Sequence, residues 1–171
     1  MNSNYIKFLR KSRNQHSVHS PFVFCLLTKG LYPRNKQWRY RRKKDVFLYR
    51  LMDYFKPMSV FVAKQSEYKY KNELQVREVY SDDSMLQMKT IDMILLDSEY
   101  LTKDNKLTDA LAMMHNNSIL VVDRRVKTAV GEAMWQEIVQ DKRITASIDF
   151  FYFGVAFVRT EQLKQHFILR M

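Results

Sequence analysis

The chain has 171 residues, 46% of them hydrophobic and 13% aromatic, with three glycines and one cysteine, a profile that suits one globular domain with a real core and excludes fibrous and disordered classes. No apolar run approaches the roughly 18 residues of a membrane span, and a single cysteine, Cys25, excludes an intramolecular disulfide and a cysteine-based zinc cluster. The net charge of +11 is uneven: residues 1–56 hold 14 Lys/Arg against Asp45 and Asp53, a net +12, and residues 57–171 hold 15 against 16 acids, a net −1.

Residues 1–11 carry charge without an apolar core or a small-residue cleavage site, so no secretory signal is predicted and a cytoplasmic location is expected. Residues 1–171 read as one domain, with a basic helical N-terminal segment over 1–56 and an α/β core over 57–171. Ser20-Pro21 is a helix start, Ser as N-cap and Pro at the first helical position. That helix runs toward Gly30, with Cys25 expected as a buried thiol. Residues 31–44 form a basic loop. Asp45 is expected to cap a helix over 46–55, whose Phe47, Leu48, Leu51, Met52 and Phe55 share one face. Pro57 ends it.

Four strand-like runs follow, at 58–63, 74–80, 91–97 and 118–123. The last two are near-continuous apolar runs that each end in Asp, as strands covered on both faces do in a parallel sheet. A helix is expected over 104–115, with Leu107, Leu111 and Met114 on one face, and another over 128–140, with Val130, Met134, Trp135 and Ile138. This alternation signals an α/β fold. Residues 144–151 and 153–159 lie too close for a parallel crossover, so they form an antiparallel hairpin or one bent strand. A helical turn over 160–166 and a tail over 167–171 close the chain.

Gly30, Gly131 and Gly154 stand far apart. Neither a GxGxxG turn nor a P-loop is present, since both need clustered glycines to bring backbone N–H groups against phosphate. Arg39-Tyr40-Arg41-Arg42-Lys43-Lys44, next to Trp38, interleaves cations with rings. Such a run can displace counterions from phosphates and stack on bases, so Arg39, Arg41, Arg42, Lys43 and Lys44 are nucleic-acid candidates; an acidic protein or anionic lipid would meet the same charge.

Asp97 and Asp123 end strands at the carboxyl edge, where ligands of open α/β sheets bind. With Asp92 and Glu99 they could form an all-carboxylate Mg²⁺ or Ca²⁺ site; the simpler reading is that both aspartates cap the turns that follow, and no metal is assigned. His16 and His19 read as capping or surface residues, His115 and His166 as isolated, and Trp135 with Met113 and Met114 as core.

Residues 14–24 (Asn-Gln-His-Ser-Val-His-Ser-Pro-Phe-Val-Phe), 133–138 (Ala-Met-Trp-Gln-Glu-Ile), 148–151 (Ile-Asp-Phe-Phe) and 161–170 (Glu-Gln-Leu-Lys-Gln-His-Phe-Ile-Leu-Arg) resemble the leader and closing segments of a bacterial family of class I S-adenosylmethionine-dependent methyltransferases. The match covers residues 14–32 and about 91–171, and is by pattern only over 33–63. The resemblance implies an α/β, Rossmann-like methyltransferase fold: a truncated, mostly parallel sheet with an antiparallel C-terminal strand and helices on both faces.

The departures carry as much weight. The family's first strand runs into a glycine loop around the cofactor; here Val62-Ala63 is followed by Lys64-Gln65-Ser66-Glu67-Tyr68-Lys69-Tyr70-Lys71, whose side chains obstruct a close approach. Only residues 64–90 separate Ala63 from Ile91, less than one βαβ unit takes, so at least one crossover, including the second strand, is expected to be deleted. No residue stands in for the acid that holds the ribose. After the fifth strand, where the family tends to show paired acids, Asp123 is followed by Arg124 and Arg125, two cations that should oppose a cationic sulfonium.

Three readings follow. The first is a degenerate methyltransferase-like protein without cofactor binding or catalysis, acting by binding a partner, so that no cofactor is expected. The second is an active methyltransferase with a modified S-adenosylmethionine site at the edge formed by Ala63, Lys64, Asp97, Ser98 and Asp123. The third is a nucleic-acid-binding module using 34–44. A shortened sheet leaves an edge uncovered, which also predicts a homodimer paired through that edge.

Overall fold

The computed structural model describes residues 3–14, 18–33, 42–63, 70, 78–81, 90–97 and 106–171. They fall into two units, one of residues 1–56 with 167–171 and one of residues 57–166.

In the first unit, α1 spans Ser3–Lys11 and α2 Pro21–Cys25. As the Ser-Pro pair predicts, the Ser20 hydroxyl accepts the Val23 N–H and Pro21 opens the helix. The expected continuation to Gly30 is not an ordinary helix. Residues Leu26–Leu31 widen into a π-helix, in which the Tyr32 N–H reaches back five residues to the Leu27 carbonyl. The Arg50 guanidinium donates to the carbonyls of Leu31 and Pro33 at its end, at 2.6 and 2.9 Å. Cys25 is half-buried rather than enclosed. Helix α3 spans Phe47–Phe55 and buries Phe47, Leu48 and Leu51. Asp45 does not cap it: the N-cap position falls on Val46, which makes no side-chain cap. The helix ends at Lys56 in a left-handed conformation (φ 47°, ψ 52°) before Pro57.

The second unit carries the sheet apart from the last two residues of its final strand. Strands β1 (Ser59–Val62), β2 (Glu78–Tyr80), β3 (Ile91–Asp97), β4 (Met114–Asp123), β5 (Ala146–Asp149), β6 (Phe153–Phe157) and β7 (Gln165–Ile168) lie in the order β2-β1-β3-β4-β6-β5-β7. The first four are mutually parallel, and β6 inserts antiparallel between β4 and β5. The close pair at the C-terminus is thus a hairpin, as its short connection requires.

The expected loss of the second strand is corrected. Three residues survive as β2, parallel to β1 at one edge, because the fourteen residues 64–77 are enough for one crossover, which needs a dozen or more. The expected turn over 160–166 is also corrected: the turn stops at Gln162, and Gln165 and His166 open β7, where the Gln165 N–H bonds to the Thr145 carbonyl at 2.8 Å.

Helices α4 (Lys106–Ala112) and α5 (Ala129–Gln140) pack on one face of the sheet. Ala110, Leu111, Trp135 and Ile138 meet Phe61, Ile94, Leu96, Leu120, Val122 and Ala156 there. The alternate residues Val60, Val62, Leu95, Val121 and Val155, on the other face, are also fully buried, which explains why these strands read as unbroken apolar runs. Val130, expected in the α5 core stripe, is 50% exposed. The buried stripe is Gly131, Trp135 and Ile138, one residue further on.

Helix α4 is shorter than expected, and Met114 and His115 belong to β4. Met114 pairs with Ile91, the chain then loops outward, and pairing resumes at Ile119 with Met93. The Ser118 hydroxyl closes this bulge by donating to the Ile91 carbonyl at 2.6 Å and accepting the His115 N–H at 2.8 Å. His115 is therefore not isolated. Its Nδ1 accepts the Asn117 N–H, which leaves Nε2–H to donate to Asp92 at 3.0 Å. The Asp92 carboxylate also accepts the N–H groups of Met58 and Ser59 and ties the amino ends of β1 and β3 to β4.

Candidate site at the carboxyl edge

The carboxyl edge of the parallel strands brings together three of the residues singled out from sequence. Ala63 follows β1 and is fully buried. Asp97 and Asp123, the last residues of β3 and β4, pair in register and are both buried. Lys64 and Ser98 lie outside the described residues. Asp92, considered with these carboxylates for a cation, stands at the opposite end of β3, with four residues of strand between it and Asp97, a span of roughly 16 Å. Glu99 lies outside the described residues. Among the described residues no group of three or more His, Cys, Asp or Glu side chains is placed to hold a metal ion.

Asp123 is engaged from both sides. The Tyr70 hydroxyl donates to its Oδ2 at 2.7 Å. The Arg125 guanidinium clamps it through Nε and Nη2, at 3.0 and 2.7 Å, and the Arg125 backbone N–H adds a bond to Oδ1 at 3.0 Å. The last contact is the turn cap expected of this aspartate. Burial alone would raise the Asp123 pKa, but Arg125 and Tyr70 outweigh it and hold the carboxyl below its ordinary value. Tyr70 has 0% exposure. Burial, followed by the charges of Asp123 and Asp97, drives its hydroxyl pKa far up, so it remains a donor throughout the accessible pH range.

Arg124 turns the other way and is 3% exposed. It pairs with Glu132 at 2.6 Å and Asp149 at 2.9 Å and lies over the Trp135 ring, 5.3 Å from its centroid. Lys127 pairs with the same Glu132 at 3.0 Å and covers the Phe151 ring at 4.4 Å. Burial would raise the Glu132 pKa, yet Arg124 and Lys127 hold it low; Lys127 is itself lowered, by burial and then by Arg124. The two arginines that follow Asp123 are thus neutralised, Arg125 by Asp123 and Arg124 by Glu132 and Asp149. Their effect at this edge comes from occupying carboxylates rather than from net positive charge.

Next to this network the β5–β6 connection is tight. The Phe151 N–H donates to Asp149 Oδ1 at 2.7 Å, and Phe151 adopts φ 70°, a conformation that costs a non-glycine residue energy. His166, also read as isolated, has Nδ1 2.8 Å from the Ser147 hydroxyl and its ring 6.4 Å from that of Trp135.

Of the nucleic-acid candidates, Arg42 and Lys43 are exposed and Lys44 is half-buried. Arg39 and Arg41 lie outside the described residues, as does His16. His19 is exposed.

Sequence reading found the strand-end aspartates and the bulky segment after β1. It missed that Tyr70 reaches Asp123, that Arg125 chelates it, and that Glu132 and Asp149 enclose Arg124. The local signals were Asp-x-Arg at 123–125 and Asp-x-Phe at 149–151, both compatible with an aspartate accepting a backbone N–H two residues on.

No protein-family model matches the sequence, and no curated protein matches it. Among solved structures the chain is similar to the cofactor-bound Rv0187 from MTB, with a TM-score of 0.52 and 13% identity over 91% of this chain and 96% of that one. It is also similar to the O-methyltransferase from Bacillus cereus in complex with SAH, with a TM-score of 0.50 and 11% identity over 93% and 92%. At these identities the likeness concerns the fold, which is an α/β, Rossmann-like fold of the class I S-adenosylmethionine-dependent methyltransferase type.

Proposed function

We propose that this chain keeps the methyltransferase fold without its cofactor chemistry, and works by binding a partner. One observation carries the reading: the fully buried Tyr70, from the segment that replaces the glycine loop, is hydrogen-bonded to the strand-end Asp123, whose remaining capacity Arg125 takes up. Ligands of open α/β sheets bind just beyond the carboxyl ends of the strands. Here that position at β4 is occupied by the chain's own side chains. An adenosyl ligand would have to displace a desolvated phenol and break a bidentate ion pair, contacts far stronger than those water offers. The described residues at this edge do not fit the group, and no methyl-transfer step is derived through it.

The partner expected is anionic. Support comes from the charge of residues 1–56, a net +12, and from the exposure of Arg42 and Lys43.

Titration calorimetry with S-adenosylmethionine and S-adenosylhomocysteine tests the first half of the reading. No heat is expected at protein concentrations of tens of micromolar, and micromolar binding of either would overturn it. For the second half, fluorescence anisotropy with a labelled single-stranded oligonucleotide should show binding that weakens with salt and with alanine at Arg41, Arg42, Lys43 and Lys44. Affinity unchanged in that variant would remove the basic segment from the reading.

A further inference from the structure

We propose that Tyr70 is a tethered ligand, its ring filling an aryl site at the carboxyl edge that accepts a free phenol once the ring is removed. The inference rests on the reading above and goes a step further by naming what the site recognises.

Three observations carry it. Tyr70 is among the largest wholly enclosed side chains, with 0% exposure, so its ring occupies a space bounded by protein on all sides. Its hydroxyl points at a charged acceptor, Asp123 Oδ2 at 2.7 Å, and a phenol hydroxyl bonded to a carboxylate is a strong, directional contact. Asp123 is also held by three Arg125 bonds, one of them from the backbone N–H, and by its position in β4, so the acceptor stays aimed when the ring is absent. A space left by truncating an enclosed aromatic ring collapses only in part, and such spaces take up small aromatic molecules.

The test uses the full chain with Tyr70→Ala and, as probe, phenol at millimolar concentration. Phenol should raise the melting temperature of Tyr70→Ala and leave wild type and Tyr70→Phe unmoved, since both still hold a ring in the site. Benzene, which offers no hydroxyl to Asp123, should bind the variant about tenfold more weakly or less. Equal stabilisation of wild type and variant, or none of the variant, would overturn the inference. If Tyr70→Ala does not fold by itself, its near-ultraviolet circular dichroism is followed as phenol is added. Return of the signal supports the tethered-ligand assignment, and its continued absence overturns it. Wild type is titrated with S-adenosylhomocysteine in parallel. Binding there would sink the functional reading, whereas a silent wild type with a phenol-blind variant would sink this inference alone.

Discussion

Gly154 lies directly against the indole of Trp135: a Cβ built on its backbone would stand 2.4 Å from Cζ3 and 2.5 Å from Cε3. Both are far inside van der Waals contact, and Trp135 has no room to retreat. It is fully buried in the core beneath α5, with the Arg124 guanidinium over its ring. Gly154 is therefore the residue that lets α5 pack onto β6. Gly154→Ala should destabilise the protein by about 3 kcal/mol, the upper part of the usual range for overpacking. Urea unfolding followed by Trp135 fluorescence, in a Trp38→Phe background, reads this directly. An unmoved midpoint would mean that α5 can shift at no cost.

Where the chain's pattern is dictated by burial on both sides, the fold was legible. The runs that became β3 and the second half of β4 are apolar without alternation because both faces are covered, and each stops at the aspartate that ends the strand. Ser20-Pro21 likewise carries its cap in the sequence. The start of β4 was not legible, because Asn116 and Asn117 lie in a bulge whose hydrogen bonds are made by Ser118 and Ile91, the latter 27 residues away. Nor was β7, whose Gln165-His166 reads as polar helix until Thr145 and Ser147 supply partners. The candidate site failed in the same way. Its aspartates are local features, but the contact between Tyr70 and Asp123 spans 53 residues, and no spacing rule encodes it.

Lys56 holds a left-handed conformation (φ 47°, ψ 52°) at the end of α3, is exposed, and donates its N–H to the Met52 carbonyl at 2.9 Å. The backbone bond survives any substitution, whereas the Cβ is what makes this conformation costly. Lys56→Gly should stabilise by about 0.5–1 kcal/mol and raise the melting temperature by up to about 4 °C. A fall on calorimetric melting would show that the lysine side chain contributes more than its backbone costs.

Asp149 has two separable roles. One oxygen accepts the Phe151 N–H in the strained turn, and the same carboxylate faces the buried Arg124. Asp149→Asn keeps an oxygen for Phe151 and removes the charge; Asp149→Ala removes both. In the asparagine variant the acceptor for Phe151 is a neutral amide oxygen, and an ordinary hydrogen bond contributes roughly 0.5–1.5 kcal/mol, so the alanine variant should be less stable than the asparagine variant by about that amount. The asparagine variant in turn should fall below wild type, since Arg124 keeps only Glu132 as counter-charge. Denaturant midpoints of the three proteins give the order. Equal loss in both variants would assign the whole effect to the ion pair and none to the turn.

The ring of His166 faces Ser147, Trp135, Asp149 and Arg124 and makes stability depend on pH. Burial lowers its pKa from the ordinary 6.5; Asp149 opposes the shift and Arg124 adds to it. In the unfolded chain the imidazole takes up a proton near pH 6.5, whereas in the folded chain it does so only at lower pH. Above pH 6.5 the ring is neutral in both states and stability is at its full value. Below 6.5 the unfolded chain binds the proton first, so stability drains away until the folded ring titrates too. The carboxylates held low by their partners, Asp123, Glu132 and Asp141, lose their contribution further down, as pH falls below about 4.5. Between pH 7 and 5 the decline therefore belongs to histidine. Urea midpoints across that window should fall in wild type and fall less in His166→Gln, whose side chain can still bond Ser147 but does not titrate. Parallel profiles would place the proton uptake elsewhere.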